Sequence, residues 1–184
     1  MRQNAWDNLI GPSGEMRLCK IAGCTVIGIA GGEDKCRHLL NEYAFDRAID
    51  YKSKDVDEAF SAAITDGIDL YFDNVGGETL ARCAKRMNRY GRIVICGSIA
   101  SYDGDAAPDP GVSPRTLINV FMARFLVLNF FDEYEAAVNV LKVWTQAGRI
   151  KVREEVIEGL ENAPEALIGL LAGRNIGKRM VRVA

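Results

Sequence analysis

Short apolar runs, rich in β-branched residues, alternate along the chain with segments in which apolar residues recur every three or four positions. Runs of the first kind are typical of strands buried on both faces, and the other segments are typical of amphipathic helices. The pattern predicts strands at residues 24–30, 48–51, 68–73 and 92–97, and helices at residues 33–41, 56–65 and 77–87. Because strands and helices alternate, we expect an α/β fold with a doubly wound parallel sheet of the Rossmann type.

The pattern becomes less regular in the second half of the chain. Residues 101–114 are polar and rich in breakers such as Pro108 and Pro110, which predicts a loop. The pattern then predicts a helix at 114–122, a strand at the apolar residues 125–130 and a long helix at 132–147 that Gly148 ends. The tail, residues 151–184, breaks the alternation with a charged extended segment, a short helix and a basic strand. We therefore predict a sheet domain at residues 1–150 and a tail that leaves it.

The charge distribution excludes some classes of partner. The net charge is −2, and basic residues are spread among acidic ones, so nucleic acid is not an expected partner. No apolar run approaches the roughly 20 residues that span a bilayer, and the first residues lack the apolar core of a signal peptide. We expect a cytoplasmic protein that does not interact with membranes.

The cysteines and the single histidine do not form a recognisable metal motif. The five cysteines contain no C-x-x-C pair, and several lie in apolar stretches, so we expect reduced and mostly buried thiols. His38 has no second imidazole to join it, and we predict that it lies on the surface of a helix. We therefore predict no metal site.

Loops that follow the strands are the places to search for a ligand site, because ligands of open parallel sheets bind beyond the carboxyl ends of the strands. Gly31 and Gly32 end the first predicted strand without the carboxylate that would favour NAD, and Lys35 could neutralise a 2′-phosphate instead. The alternative for Lys35 is a solvated lysine in the first turn of a helix. Tyr51 could close the same pocket with its hydroxyl, or it could be an edge residue with its tip in water.

A second glycine-containing loop follows the strand at 68–73. Gly76 and Gly77 would allow the backbone at Asn74 to approach a ligand closely. An ordinary tight connection between a strand and a helix is the alternative.

Several segments together resemble one family. They are residues 23–31 (GCTVIGIAG), 71–77 (YFDNVGG), 91–97 (GRIVICG), 124–129 (RFLVLN), 158–164 (EGLENAP) and 175–178 (NIGK). From about residue 17 to the end, the chain resembles the zinc-free branch of the medium-chain dehydrogenase/reductase superfamily, which includes prostaglandin reductases, leukotriene B4 12-hydroxydehydrogenase and bacterial curcumin reductase. The resemblance implies an NADP-binding domain at residues 1–150 and a segment at residues 151–184 that packs on a substrate domain, most of which this chain does not contain.

The resemblance also implies roles for individual residues. Lys35 and Tyr51 match contacts to the 2′-phosphate of NADP, and Tyr102 matches a tyrosine beside the nicotinamide ribose that orients or protonates the substrate enolate. The other positions that match the cofactor site are Gly31, Asn74, Cys96, Gly97, Ser98, Ile99, Phe125, Leu126, Val127 and Asn175. Tyr102 is the one catalytic residue that the resemblance implies.

One segment departs from the family pattern. The family has a longer glycine-rich phosphate turn after a first strand, whereas this chain has NLIGPSGE at residues 8–15, with no convincing β-branched strand ahead of it. Gly11 and Gly14 match remnants of that turn. We expect Glu15 to repel a pyrophosphate and to weaken cofactor binding.

The family relationship implies an enzyme that uses NADPH to reduce the carbon–carbon double bond of a small enone or enal. Two alternatives stay open: a non-catalytic nucleotide-binding or interaction module, and a related quinone reductase. We also expect a homodimer, because residues 125–130 are too apolar for an open sheet edge. Burial of those residues in the core is the alternative to pairing.

Overall fold

The computed structural model of the chain describes residues 8–11, 16–97 and 112–183. Strands and helices alternate through the first half of the chain. In chain order the elements are β1 (Asn8–Gly11), α1 (Met16–Ile21), β2 (Thr25–Ala30), α2 (Glu33–Asn41), β3 (Arg47–Asp50), α3 (Val56–Ala63), β4 (Ile68–Asp73), α4 (Gly77–Ala84), β5 (Met87–Ile95), β6 (Phe121–Arg124), α5 (Tyr134–Gln146), β7 (Glu154–Glu158), α6 (Ala163–Leu171) and β8 (Lys178–Arg182). Short 3₁₀ helices cover Val127–Glu133 and Leu160–Asn162.

Six strands form one sheet in the order β3-β2-β1-β4-β5-β6. Every neighbouring pair in this sheet is parallel. The direction of winding reverses between β1 and β4, because the chain builds outward from β1 on one side and from β4 on the other. The predicted doubly wound parallel sheet of the Rossmann type is therefore confirmed.

Strand β1 lies in the centre of the sheet, although we predicted no regular strand in this part of the sequence. Its residues Leu9 and Ile10 pair with β2 on one side and with β4 on the other. A strand that is hydrogen-bonded on both sides is held by its neighbours' backbones. Its sequence therefore does not need a long run of β-branched residues.

Apolar side chains cover both faces of the sheet because successive residues of a strand point to opposite faces. Val26 belongs to a cluster with Met16 of α1 and Leu39 of α2. The next residue, Ile27, belongs to a second cluster with Phe60 of α3, together with Leu80 and Cys83 of α4. The core thus consists of two layers, with α1 and α2 on one face and α3 and α4 on the other.

Two predictions in the second half of the sheet domain are wrong. Residues 114–119 form turns, where we predicted a helix, and the strand that follows is Phe121–Arg124. The apolar run at 125–130 is not a strand, since a 3₁₀ helix begins at Val127. A short apolar run does not by itself distinguish a strand from a helix, and pairing with residues 92–95 of β5 selects the earlier segment.

The chain divides into two compact units, Met1–Val138 and Asn139–Ala184. In the second unit, β7 and β8 form a separate parallel pair. Glu155 accepts hydrogen bonds from Arg179, and these bonds hold the pKa of Glu155 below its ordinary value. Gly148 lies two residues after the end of α5 and has a φ of 68°, so it ends that helical region as predicted. The assignment of residues 151–184 to a substrate domain stays a prediction.

No helix among the described residues has both the length and the apolar character needed to cross a membrane.

Asp46 lies just before β3, at the amino end of the sheet. Its carboxylate accepts a hydrogen bond of 2.7 Å from the N–H of Val26 and one of 2.9 Å from Lys20 Nζ. Burial by itself would raise the pKa of Asp46, but the hydrogen bonds from Lys20 and Val26 outweigh it and lower the pKa. The charged form of Asp46 therefore stabilises the fold.

We predict that Asp46→Asn lowers the free energy of unfolding by about 1 kcal/mol at about pH 7, because an amide is a weaker acceptor and the site is partly screened by solvent. The folded-state pKa is below the ordinary value of 3.8, so this contribution is present above that value and is lost as the pH falls through the lower one. Urea unfolding of both proteins at about pH 7 and about pH 3 measures it. If the two proteins differed in free energy of unfolding as much at the lower pH as at the higher one, the role of the charge would be contradicted.

Candidate cofactor site

The carboxyl ends of the parallel strands meet at one edge of the sheet, and the connections that follow them lie side by side there. Ligands of doubly wound sheets bind at this edge, next to the point where the winding reverses. In this protein that point lies between β1 and β4. The connections after β2, β3, β4 and β5 are therefore the candidate site.

A tyrosine lies across the turn that follows β2. A Cβ atom added at Gly31 would lie only 2.9 Å from both Cζ and Oη of Tyr51, and 2.9 Å from Cε of Lys52. A larger residue at that position would displace the ends of these two side chains from where they lie. The structure thus brings Gly31 and Tyr51 together, and the Tyr51 side chain is still 47% exposed toward solvent.

Asp50, the last residue of β3, connects the turn after β2 with the turn after β3 through its side chain. Its Oδ1 accepts hydrogen bonds from the N–H of Gly32, at 2.8 Å, and from the N–H of Lys52, at 2.9 Å. The Lys52 ammonium lies 5.8 Å from the centre of the Tyr51 ring, and Lys35 is half-buried in the first turn of α2. Sequence reasoning missed Asp50 and Lys52, because their relation to the turn depends on the pairing of β2 with β3.

Asp73 occupies the equivalent position at the end of β4. Its side chain is only 1% exposed. Oδ1 accepts hydrogen bonds from the hydroxyl of Tyr71, at 2.7 Å, and from the N–H groups of Val75 and Gly76, both at 3.0 Å; Oδ2 also accepts from Gly76, at 3.1 Å. The carboxylate therefore fixes the turn that carries Asn74. The YFDNVGG motif contains Asp73, but nothing in the sequence indicated that its side chain binds its own turn.

The residues around Asp73 keep their protons. Burial, followed by the nearby Cys83 thiol and Asp73 carboxylate, raises the pKa of Tyr71 far above its ordinary value. Burial and then the Asp73 carboxylate likewise raise the pKa of Cys83. Tyr71 is therefore a permanent hydrogen-bond donor to Asp73 near neutral pH.

The end of β5 lies directly against the Asn74 turn. The backbone oxygen of Asp73 accepts hydrogen bonds from the N–H of Cys96, at 2.8 Å, and from the N–H of Gly97, at 3.2 Å. A Cβ atom added at Gly97 would lie 3.1 Å from the backbone oxygen of Asn74. The two connections are therefore close enough to form one surface, on which Cys96 is exposed and Asn74 is half-buried.

A pocket of about 250 Å³ lies beside this surface. Its wall combines the buried carboxylate of Asp73 with apolar side chains from α4 and from residues 112–124. The lining residues are Asp73, Gly76, Leu80, Ile95, Gly97, Val112, Leu117, Met122 and Arg124. Arg124 is the cation among these described residues, and sequence reasoning assigned it no role.

Comparison with known proteins identifies the family. Residues 14–142 match the family described as zinc-binding dehydrogenase. This chain belongs to that family. Within it the chain belongs to the zinc-free branch of the medium-chain dehydrogenases/reductases, and it corresponds to their carboxyl-terminal, cofactor-binding part.

Individual relatives define the branch. Prostaglandin reductase 1 from Bos taurus is 39% identical over 170 residues, which are 90% of this chain and 51% of that protein. NADPH-dependent curcumin reductase from Escherichia coli (strain K12) is 36% identical over 183 residues, which are 95% of this chain and 53% of that protein. The crystal structure of CurA from Vibrio vulnificus in complex with NADPH is similar with a TM-score of 0.90 at 34% identity, covering 97% of this chain and 57% of that one. The chain spans about half the length of the curated relatives it matches.

The remaining positions implied by the family resemblance do not lie together in one environment. Phe125 is half-buried, with its ring 6.2 Å from that of Phe72, whereas Leu126 and Val127 are exposed. Asn175 is in the second unit, where its side chain donates to the backbone oxygen of Gly177. The positions that lie outside the described residues are Gly14, Glu15, Ser98, Ile99 and Tyr102.

The described thiols and the histidine do not converge on a metal site. Within residues 16–97 and 112–183, no group of three or more His, Cys, Asp or Glu side chains could hold a metal ion. Burial, and next the neighbouring Cys24, raises the pKa of Cys19 to about 11, so that thiol stays protonated. His38 lies in α2, as predicted, and it is half-buried there, packing edge-on against Tyr43 with the ring centres 4.9 Å apart.

Proposed function

We propose that this chain binds NADP(H) and forms the cofactor-binding part of an NADPH-dependent reductase. The observation that carries the proposal is the placement of Tyr51 across Gly31, at the end of β2 and next to a helix that carries Lys35. In this fold the adenosine ribose lies beside that strand end. The E. coli relative is named as an NADPH-dependent reductase, and the Vibrio structure contains NADPH, which supports the same cofactor here.

The residues at the edge of the sheet fit the dinucleotide. The Tyr51 hydroxyl and the ammonium groups of Lys35 and Lys52 are donors suited to a 2′-phosphate. Asp50 is held in place by two backbone N–H groups, and no carboxylate ends β2 where it would accept from both ribose hydroxyls. At the other end of the proposed site, Gly97 lets the backbone that follows β5 come close to the backbone of Asn74, which follows β4. These connections form a surface for the remainder of the cofactor.

We further propose that the substrate is an α,β-unsaturated ketone or aldehyde whose carbon–carbon double bond is reduced. The bound cofactor supplies the hydride that is added to the β-carbon. Phe125, Leu126 and Val127 orient the reacting ring and exclude water from it. Negative charge develops on the substrate oxygen, and Tyr102 donates a hydrogen bond there or a proton to the resulting enolate. Asn175 contributes a late cofactor contact in this proposal.

Selective loss of NADPH binding is the first test. We predict that Lys35→Ala and Tyr51→Phe each weaken NADPH binding to this chain by about tenfold, because each removes a donor to a doubly charged phosphate. Binding of NADH, which lacks that phosphate, should change by less than about twofold. Titration calorimetry measures both affinities, with Lys54→Ala as the control for loss of an exposed lysine near the same turn.

Equal losses for both cofactors would contradict the assignment of Lys35 and Tyr51 to the 2′-phosphate. If the unchanged chain bound neither cofactor, the non-catalytic alternative would replace the proposal.

The substrate class is tested with the whole product of the gene. We predict that this product oxidises NADPH faster with a 2-alkenal or an enone than with a quinone. Tyr102→Phe should lower the turnover number with the enone by about tenfold or more and leave the NADPH affinity nearly unchanged. Faster reaction with quinones would identify a quinone reductase, and an unchanged turnover number would remove Tyr102 from catalysis.

We also propose that the protein forms a homodimer through the region around β6. This strand is the last in the order of the sheet, and its residue Phe121 is 60% exposed. The following residues Leu126, Val127 and Leu128 are also exposed, so burial in the core, the alternative reading of this apolar run, is not what the described residues show. A second copy would cover Phe121 and Leu128, which have no role at the proposed cofactor site.

Sedimentation analysis tests the dimer. We predict a dimeric mass that Leu128→Asp converts to a monomeric one, because a buried charge without a partner opposes association. Leu167→Asp is the control, since Leu167 is also an exposed leucine but lies in α6. A monomeric mass of the unchanged chain would contradict the proposal.

A further inference from the structure

We infer that Asp73 is a positioning residue that holds together the two connections against which the cofactor lies, and that it thereby sets the affinity for NADPH. This inference rests on the proposed function. Asp73 is nearly inaccessible to solvent, so we assign its carboxylate no direct contact with the cofactor. Its effect passes through the backbone of residues 74–76 and of residues 96–97.

The carboxylate is stabilised by dipoles of its own turn. Its hydrogen-bond donors are the Tyr71 hydroxyl and the N–H groups of Val75 and Gly76. Gly76 is the N-cap of α4, so the carboxylate also lies at the positive end of that helix. Four hydrogen bonds to one buried carboxylate hold the turn in one position.

The backbone of the same residue fixes the second connection. Its carbonyl oxygen accepts from Cys96 and Gly97, so one residue determines where both connections stand. The close approach of Gly97 to the Asn74 backbone shows that little room is left between them. Backbone groups that are already in place bind a ligand more tightly, because no ordering cost is added on binding.

The neutral variant Asp73→Asn should disturb this arrangement and preserve its volume. The amide keeps one acceptor oxygen but presents an NH₂ group where Oδ2 accepts the N–H of Gly76. The N–H of Gly76 then keeps only its bond to Oδ1 and faces the NH₂ group, and the bonds to Oδ1 lose the charge of their acceptor. The Asn74 turn therefore gains freedom, together with the backbone oxygen of residue 73 to which Cys96 and Gly97 bond. We expect weaker NADPH binding and faster hydrogen exchange at Val75, Gly76, Cys96 and Gly97.

The experiment compares Asp73→Asn with Asp46→Asn in this 184-residue chain. Both changes neutralise an aspartate that accepts a backbone N–H, but Asp46 lies at the amino end of the sheet, away from the proposed site. For Asp73→Asn we expect an NADPH dissociation constant that is raised about tenfold, with faster exchange at the four amides. For Asp46→Asn we expect lower stability and a dissociation constant within about twofold of the original.

Each outcome decides the inference. An unchanged affinity and unchanged exchange in Asp73→Asn would overturn it, and so would an equal loss of affinity in Asp46→Asn, which would indicate a general effect of stability. If Asp73→Asn does not fold, Tyr71→Phe removes only the hydroxyl donor, and we expect an affinity lowered by about threefold with faster exchange at Val75 and Gly76. An unchanged affinity in that variant would then overturn the inference.

The failure of the proposed function would look different. If the unchanged chain does not bind NADPH, the proposed function fails and the claim about affinity fails with it. The exchange rates of the four amides in Asp73→Asn would still show whether this residue holds the two connections together.

Discussion

Strand-ending aspartates that accept backbone N–H groups are the interaction on which the edge of this sheet depends. Where a parallel ladder stops, the N–H groups of the next turn have lost their regular partners. Asp50 supplies an acceptor after β3, and Asp73 supplies one after β4. Because each carboxylate binds the turn next to its own strand, the positions of the turns follow from the strands. The proposed cofactor surface is thus an extension of the core and not a set of independent loops.

The two ends of this surface differ in charge and in exposure. At the end near β2 and β3, Tyr51 and Lys52 are exposed and Lys35 is half-buried, an arrangement that suits recognition of an exposed phosphate. At the end near β4 and β5, Asp73 is enclosed and Gly97 approaches the neighbouring backbone. In the proposed complex, charged groups bind the phosphate at one end and packed backbone positions the ring at the other. This division agrees with electrostatic attraction at the rim and preorganised geometry at the reacting end.

Much of this fold could be predicted from the sequence, because its buried strands are continuous apolar runs. Helix α2 and strand β4 have the predicted bounds. Strand β1 could not be predicted in the same way, since its place depends on two neighbours and not on its own composition. The sequence predicted that Tyr51 could share a pocket with Lys35, but it did not predict that the Tyr51 side chain lies across Gly31. The role of Asp73 was missed entirely, because its partners are backbone N–H groups that every residue except proline carries.

The physical separation of cofactor and substrate recognition follows from the same arrangement. The groups proposed to bind the phosphate and to position the ring all lie on connections of one sheet, within the first compact unit, apart from Asn175. A hydride donor held by these connections can serve any acceptor that another part of the protein places beside it. Changes at Tyr51 or Asp73 should therefore act on all substrates alike. Any preference among hydride acceptors must come from residues that face the acceptor.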